Sequence, residues 1–294
     1  MTSPVISVII PAYNHERFVG AAVDSVLTQT FHDLELIVID DGSTDGTATI
    51  VKQFQDPRLT YHYQSNQDAY NALNNGIGLA RGQFIAILNS DDIYAPNRLE
   101  VLLDHQRRTQ AACLFTDVDP IDAAGRHIPE NGHYWHRWHR KNRQFYFECG
   151  DLFVAFLKGN FMVTTSNLFL SSEAVRTIGH FAPLRYLHDY DYIFRVLLAF
   201  PARVVYLHDA PLLHYRLHGH NTLNQNALIA REQNRDLVRK YMLASLPENC
   251  RARAATGSDR LAELERELES VRRQMRIPPP LRPAMNTLYR LLFK

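Results

Sequence analysis

Asp40-Asp41-Gly42-Ser43 and Asn89-Ser90-Asp91-Asp92 each follow a short apolar run, residues 36–39 and 84–88, and in both turns two carboxylates stand side by side. Adjacent carboxylates repel unless something positive lies between or beside them, and hard divalent cations favour oxygen ligands. Mg2+ or Mn2+ held by one or two carboxylates completes its shell with substrate phosphate and water. The pattern therefore points to metal-assisted work on a phosphate or a sugar nucleotide. Zinc is disfavoured, because Cys113, Cys149 and Cys250 are widely and unequally spaced and no Cys/His ligand pattern occurs. A dinucleotide oxidoreductase or a P-loop enzyme is disfavoured too, since neither GxGxxG nor a Walker A run is present.

The two turns are not equally diagnostic. Asp, Gly and Ser make turns and cap helices, and a helix is expected straight after Ser43, so capping and ligand binding stand level for Asp40-Asp41. In the second turn Pro96 suits the first turn of the next helix, which leaves Asp91 and Asp92 several residues upstream of any cap.

The elements that must position these turns alternate. A strand over 5–10 stops at Pro11, and a helix over 18–28 carries Val19, Ala22, Val23, Val26 and Leu27 on one face. Strand 34–39, helix 44–54, strand 59–63, helix 69–80, strand 84–88, a helix from Pro96 with Leu99, Leu102 and Leu103, and strand 112–115 follow. Such alternation predicts an α/β fold with a doubly wound, mostly parallel sheet, which binds ligands at the carboxyl ends of its strands. Regularity fails from 117 to 160, where His133-Tyr134-Trp135-His136-Arg137-Trp138-His139-Arg140-Lys141 interleaves aromatics and cations. Strand 164–170, helix 189–200 and strand 203–207 are expected next.

Past 223 the chain turns to polar helix formers, a helical C-terminal extension. Leu261, Leu264, Leu268, Val271 and Met275 are spaced as an a/d seam. So short a seam is marginal alone, so segment 261–275 is expected to pack on the body or on a second copy in a homo-oligomer. The tail, 281–294, mixes apolar residues with Arg282, Arg290 and Lys294, and reads as a docked terminal helix or a membrane-surface helix.

Lys and Arg number 32 against 31 Asp and Glu, a net charge of +1, so no global field points to nucleic acid or an acidic partner. A hydrophobic fraction of 46% supports a sizeable core. Three unpaired cysteines, no basic-then-apolar leader and no apolar run near the roughly 20 residues of a membrane span make the cytoplasm the expected location. Peripheral contact at the inner membrane surface is compatible with this reading.

Five segments together resemble a family: Pro11-Ala12-Tyr13-Asn14, Ser25-Val26-Leu27-Thr28-Gln29-Thr30, Asp40-Asp41-Gly42-Ser43-Thr44-Asp45, Gly76-Ile77-Gly78-Leu79-Ala80-Arg81-Gly82 and Asn89-Ser90-Asp91-Asp92. In order and spacing they are similar to the family-2 inverting glycosyltransferases of the GT-A fold, from about residue 5 to 103 and more loosely beyond 117. The resemblance implies a GT-A domain over 1–222, with a nucleotide-sugar-binding half at 1–116 and an acceptor and catalytic half at 117–222. It implies a base pocket lined by Pro11, Ala12 and Tyr13, with Tyr13 stacking on the ring and Asp41 accepting from the base. Asp40 would support the loop or touch the nucleoside, and Asn89 and Ser90 would lie on the nucleotide-sugar. The family's DxD motif often begins with Asp, where this chain has Asn89, so Asp91 becomes the metal ligand and Asp92 its helper.

A metal-bound diphosphate leaves without a proton, so the remaining need is a base for the acceptor hydroxyl. Leu187-His188-Asp189-Tyr190-Asp191 stands where the family carries Glu-Asp before a helix, which makes Asp189 the candidate base and Asp191 the runner-up. His188 replaces the usual Glu. Arg216-Leu217-His218-Gly219-His220 resembles the late loop whose His reaches the metal or diphosphate, a position filled by His218.

The resemblance thus implies a Mg2+- or Mn2+-dependent hexosyltransferase. It would move a sugar from a nucleoside diphosphate, with UDP-sugar favoured by family habit, to a sugar, lipid-linked or protein acceptor in surface glycan or polysaccharide synthesis. A sugar-nucleotide-forming nucleotidyltransferase would carry a Gly-rich basic loop after the first strand, where this chain has Tyr13-Asn14-His15-Glu16. A non-catalytic nucleotide-sugar-binding scaffold would have no need of Asp189.

Overall fold

The computed structural model describes residues 3–131, 133–218 and 227–274, and the chain divides into two compact units, Met1–Asn234 and Arg235–Lys294. In the first unit, an eight-stranded sheet runs in the order β3-β2-β1-β4-β7-β6-β8-β5. Its strands are β1 (Ile6–Ala12), β2 (Leu34–Asp40), β3 (Leu59–Tyr63), β4 (Phe84–Ile87), β5 (Ile93–Tyr94), β6 (Cys113–Ile121), β7 (Phe169–Ser171) and β8 (Val204–Arg216). The expected α/β architecture holds. β1 and β2 are buried at all seven positions, as strands covered on both faces must be.

Strand direction decides what the sheet can bring together. β1 pairs parallel with β2 and β4, β4 antiparallel with β7, β7 antiparallel with β6, and β6 parallel with β8. Two reversals restore direction, so β8 ends at the same edge as β1, β2 and β4. Asp40, Asn89 and Arg216 all leave the sheet there. This is the carboxyl edge where open α/β sheets bind ligands.

Helices α1 (Val19–Leu27), α2 (Thr47–Val51), α3 (Ala69–Leu79) and α4 (Arg98–Thr109) connect the first strands. α1 buries Val19, Ala22, Val23 and Val26, a stripe at helical spacing. Just beyond its end the fully buried Gln29 donates to Ser25 O at 2.9 Å and Ala95 O at 2.7 Å, and accepts from Leu99 N at 3.0 Å. That one amide clamps the segment that follows Asp91 and Asp92. Where α3 meets the sheet, a Cβ at Gly76 would lie 2.4 Å from Ile9 Cγ2, so only glycine allows the approach.

Several expectations need correction. The aromatic and basic stretch is not irregular: it forms α5 (Tyr134–Cys149), followed by α6 (Leu152–Lys158). Trp135, His139 and Asn142 make the buried stripe of α5, at spacings of four and three but with polar members. The strand expected over 164–170 is shorter. Thr164 accepts from Ser166 N and opens a 3-10 turn, Thr165–Asn167, before β7, and α7 (Ser172–Ile178) follows directly. β6 and β8 run well past the expected 112–115 and 203–207, paired through a register shift at Asp117. The expected helix 44–54 shrinks to α2, and the helix expected over 189–200 is α8 (His188–Ala199).

Helices α9 (Ala227–Ser245) and α10 (Glu248–Gln274) complete the described chain. Leu261 and Leu264, the first seam positions, are 67% and 43% exposed. The side chains of Leu268 and Val271, Met275 and the tail 281–294 lie outside the described residues. Among the described residues no helix is long and apolar enough to cross a membrane.

Candidate active site

On one side of the carboxyl edge, two loops brace each other. Asn14 sits at φ 51°, a left-handed conformation that asparagine tolerates, and accepts from Thr44 N at 2.8 Å while its own N donates to Ser43 Oγ at 3.0 Å. Gly42 at φ 80° completes the turn, and a Cβ there would lie 2.8 Å from Asn66 N. Asp40 is fully buried, with Oδ1 accepting from Ser43 N at 2.8 Å and Oδ2 from Tyr61 Oη at 2.6 Å. Both its oxygens hold the loop.

Asp41 differs. Its Oδ1 accepts from Gln64 Nε2 at 2.7 Å and Gln67 N at 2.9 Å, and Oδ2 takes no hydrogen bond from the described residues. Burial pushes its carboxyl above the ordinary value, against the two bonds that favour the charged form. Beside it, Ala12 is buried and Tyr13 is 47% exposed.

The second acidic turn is anchored more heavily. Asp92, with no exposed surface, accepts from Ser166 Oγ at 2.6 Å, from Thr164 Oγ1 at 3.4 Å and from Arg216 N at 3.0 Å. Burial, with the neighbouring Asp91 charge, pushes its carboxyl well above the ordinary value. Asn89 donates through its backbone to Ser166 Oγ and through Nδ2 to Thr164 Oγ1, both at 2.9 Å. Arg216 Nε donates to Asp91 O at 2.7 Å. The 3-10 turn and the end of β8 thus grip the motif from two sides, and Asp92 faces this scaffold.

Asp91 faces imidazoles instead. Its Oδ2 lies 2.9 Å from His218 Nε2. His15, which sequence reasoning passed over, approaches from the β1 loop, with Nδ1 2.7 Å from Ser90 Oγ and its ring centroid 6.0 Å from that of His218. Ligand atoms of His15, Asp91 and His218 all lie within 4.8 Å of one another, a donor set suited to a metal ion. Burial works to raise the Asp91 carboxyl, but the His218 bond and the two imidazole charges outweigh it and hold it below the usual range.

Asp189 lies in the first turn of α8 and is 8% exposed. Its Oδ1 accepts from Tyr190 N at 2.7 Å and its Oδ2 from Asn160 Nδ2 at 3.0 Å. Burial raises its carboxyl above the ordinary value, against the His188 charge and these bonds. Asn160 Oδ1 is buried without a partner among the described residues. Between Asn160 and Thr164, Val163 adopts φ 80°, a strained conformation for a β-branched residue. His188 points elsewhere, to Thr165 Oγ1 at 3.2 Å and Leu184 O at 3.1 Å. Asp191 binds Arg195 at 2.8 Å, on the other side of the helix.

Tyr215 stands beside Arg216 at the end of β8. Burial raises its phenol, and the charges of Asp92, Asp91 and Asp189 all raise it further. Its ring stacks on Trp135 at 6.3 Å, and Trp135 on His139 at 4.9 Å. Burial depresses the His139 imidazole to about 4, so this aromatic wall carries no charge near neutrality.

Comparison with known proteins agrees with the geometry. The model of glycosyl transferase family 2 matches residues 7–166. An uncharacterized glycosyltransferase of Rickettsia typhi is 30% identical over 223 residues, 76% of this chain and 67% of that protein. Escherichia coli chondroitin synthase is 38% identical over 135 residues, 45% of this chain and 20% of the synthase. Among solved structures, the mannosyltransferase PcManGT of Pyrobaculum calidifontis, in complex with GDP-Man and Mn2+, is 16% identical with a TM-score of 0.64, covering 100% of this chain and 82% of that one. S. aureus TarS in complex with UDP-GlcNAc is 18% identical with a TM-score of 0.64, covering 85% and 70%. These structures share the GT-A architecture, and the chain belongs to glycosyl transferase family 2: it is a glycosyltransferase.

Proposed function

We propose that this glycosyltransferase moves a sugar from a nucleoside diphosphate to an acceptor hydroxyl with inversion, in a reaction that depends on Mg2+ or Mn2+. The observation that carries the reading is the cluster of His15, Asp91 and His218 ligand atoms within 4.8 Å of one another at the carboxyl edge, together with the buried Asp189 carboxylate in the first turn of α8. A base for the acceptor and a ligand for the leaving group are both needed, and these residues supply them. Asp41 and Tyr13 receive the base, with Oδ2 of Asp41 taking its ring N–H. Asp91 and His218 hold the ion, and Asp92, Asn89 and Ser90 keep the turn in place against the sugar nucleotide. The ion, when bound, neutralises the charge that develops on the diphosphate.

Asp189 then takes the proton from the acceptor hydroxyl as that oxygen bonds to the anomeric carbon. The bond from that carbon to the diphosphate oxygen breaks, and its electron pair leaves with the diphosphate. The raised carboxyl of Asp189 makes it a better proton acceptor than an exposed aspartate, provided the pH keeps it ionised. Asn160 holds its Oδ2 and offers a buried carbonyl oxygen beside it.

A UDP-sugar is the first donor to test and a GDP-sugar the second, since the solved relatives carry one each. The match to chondroitin synthases favours a glycan acceptor in polysaccharide synthesis. The test is a panel of nucleotide sugars, scored for thermal stabilisation and turnover with and without Mn2+. Metal-dependent stabilisation and hydrolysis of one donor is the expected outcome. Failure of every nucleotide sugar to bind overturns the reading.

A further inference from the structure

We infer that His15 is a third protein ligand beside Asp91 and His218, and that the resulting site of two imidazoles and one carboxylate selects a first-row transition ion over Mg2+. This inference rests on the reading of Asp91 and His218 as the metal side of the transferase. It goes further by naming a ligand from a different strand and the class of ion that its chemistry favours.

Geometry supplies the first argument. The three ligand atoms lie within 4.8 Å of one another, close to the span of about 4 Å across a single ion with bonds near 2.1 Å. Asp91 Oδ2 and His218 Nε2 already point at each other at 2.9 Å, as two ligands do when a proton occupies the position of an ion. His15 comes to this point from the β1 loop, 74–77 residues before the acidic turn, so the site draws on three separate strand ends.

The surroundings of His15 supply the second. Ser90 Oγ, 2.7 Å from Nδ1, holds the ring in place, as outer-shell partners of ligating imidazoles do. Ser90 is itself 2% exposed and belongs to the same turn as Asp91, so one turn presents one ligand and orients another. Phe18 closes the apolar side, with ring centroids 5.8 Å from His15 and 5.0 Å from His218. Simple packing of His15 on Phe18 would not call for a second, polar anchor on Nδ1.

Donor chemistry supplies the selectivity. Mg2+ is small and hard, prefers oxygen, and keeps several waters when bound by one or two carboxylates. Two imidazoles move the preference toward Mn2+ and the later first-row ions, which accept nitrogen readily. A site built from Asp91 alone, or from the Asp91-Asp92 pair, would show no such preference.

The experiment uses the full chain and Mn2+ or Mg2+ alone as probes. Pulsed EPR of the Mn2+-loaded protein should show couplings to two histidine nitrogens, and to one in His15→Ala. The Mn2+ dissociation constant should rise about tenfold or more in His15→Ala, with Mg2+ binding changed far less. His15→Gln, with nucleotide binding in EDTA as a control, separates a lost ligand from a damaged loop. A single nitrogen coupling in the unsubstituted protein, or equal affinity for Mg2+ and Mn2+, overturns the inference. Failure of the transferase reading is distinct: the two-nitrogen spectrum would persist while no nucleotide sugar turned over.

Discussion

The two acidic turns divide their labour in the same way but in opposite order. After β2 the first carboxylate is the anchor, Asp40, and the second, Asp41, keeps an oxygen open. After β4 the first carboxylate, Asp91, meets the imidazoles, and the second, Asp92, is the anchor. In each turn the two adjacent carboxylates part, one meeting donors of the fold at both its oxygens and the other with an oxygen turned elsewhere. Buried carboxylates are tolerated only when donors meet their oxygens, and the structure supplies two donors to Asp40 and three to Asp92. In each doubled acid one carboxylate is thus held by the fold, and the other is the one proposed to work.

Among the four turn carboxylates, breaking the proposed metal ligand should have the largest effect. Asp91→Ala is expected to lower turnover by about 10²–10³-fold, the scale on which a charge-stabilising contact is lost, with the melting curve nearly unchanged. A turnover assay beside a thermal melt checks both halves. Breaking the anchor should do the reverse at first instance. Asp92→Ala leaves Ser166, Thr164 and Arg216 N without their acceptor and should cost about 3 kcal/mol by denaturant unfolding, with activity falling only as the turn moves.

On the nucleoside side both effects should be smaller. Asp40→Ala removes the acceptor for Ser43 N and Tyr61 Oη and is expected to cost about 2 kcal/mol in unfolding free energy. Asp41→Asn should instead weaken nucleotide binding by about tenfold in calorimetry, leaving stability within about 1 kcal/mol. If Asp40→Ala weakened binding and Asp41→Asn unfolded the protein, the division of labour would be the wrong way round.

The smallest expected effect concerns pH. As the proposed base Asp189 would act only as a carboxylate, and burial places its pKa above the ordinary 3.8. Activity should therefore rise with pH through that raised value and be lost below it. The Asn160 bond lowers the pKa, so Asn160→Ala should move the acid limb of the kcat/KM profile to higher pH. A limb that stays in place would show that Asn160 does not position the base.

The first 116 residues were legible because their elements are built from apolar residues at regular spacing. β1, β2, α1 and α4 bury Val, Ile, Leu and Ala in runs or stripes that hydropathy reveals. The stretch after residue 116 hides its order. The stripe of α5 is Trp135, His139 and Asn142, of which two are polar, so its helical spacing carries no hydropathic signal. Thr164-Thr165-Ser166 reads as strand by composition, yet the Thr164 side chain competes for the backbone and makes a 3-10 turn.

The site follows the same rule. Asp91, Asp189 and His218 stand in motifs, but His15 becomes a neighbour of Asp91 only through the β1–β4 pairing, and Asn160 reaches Asp189 from a loop. The left-handed conformation of Asn14, which sets His15 on its path, is visible only in the folded chain.

The central claim is that a buried carboxylate on α8 deprotonates the acceptor while the sheet edge holds the sugar nucleotide. Single-turnover transfer by Asp189→Asn, measured with nucleotide affinity on the same sample, tests it most directly. Transfer should fall by about 10²–10⁴-fold with affinity unchanged. Transfer at the unsubstituted rate would contradict the assignment of Asp189 as the base.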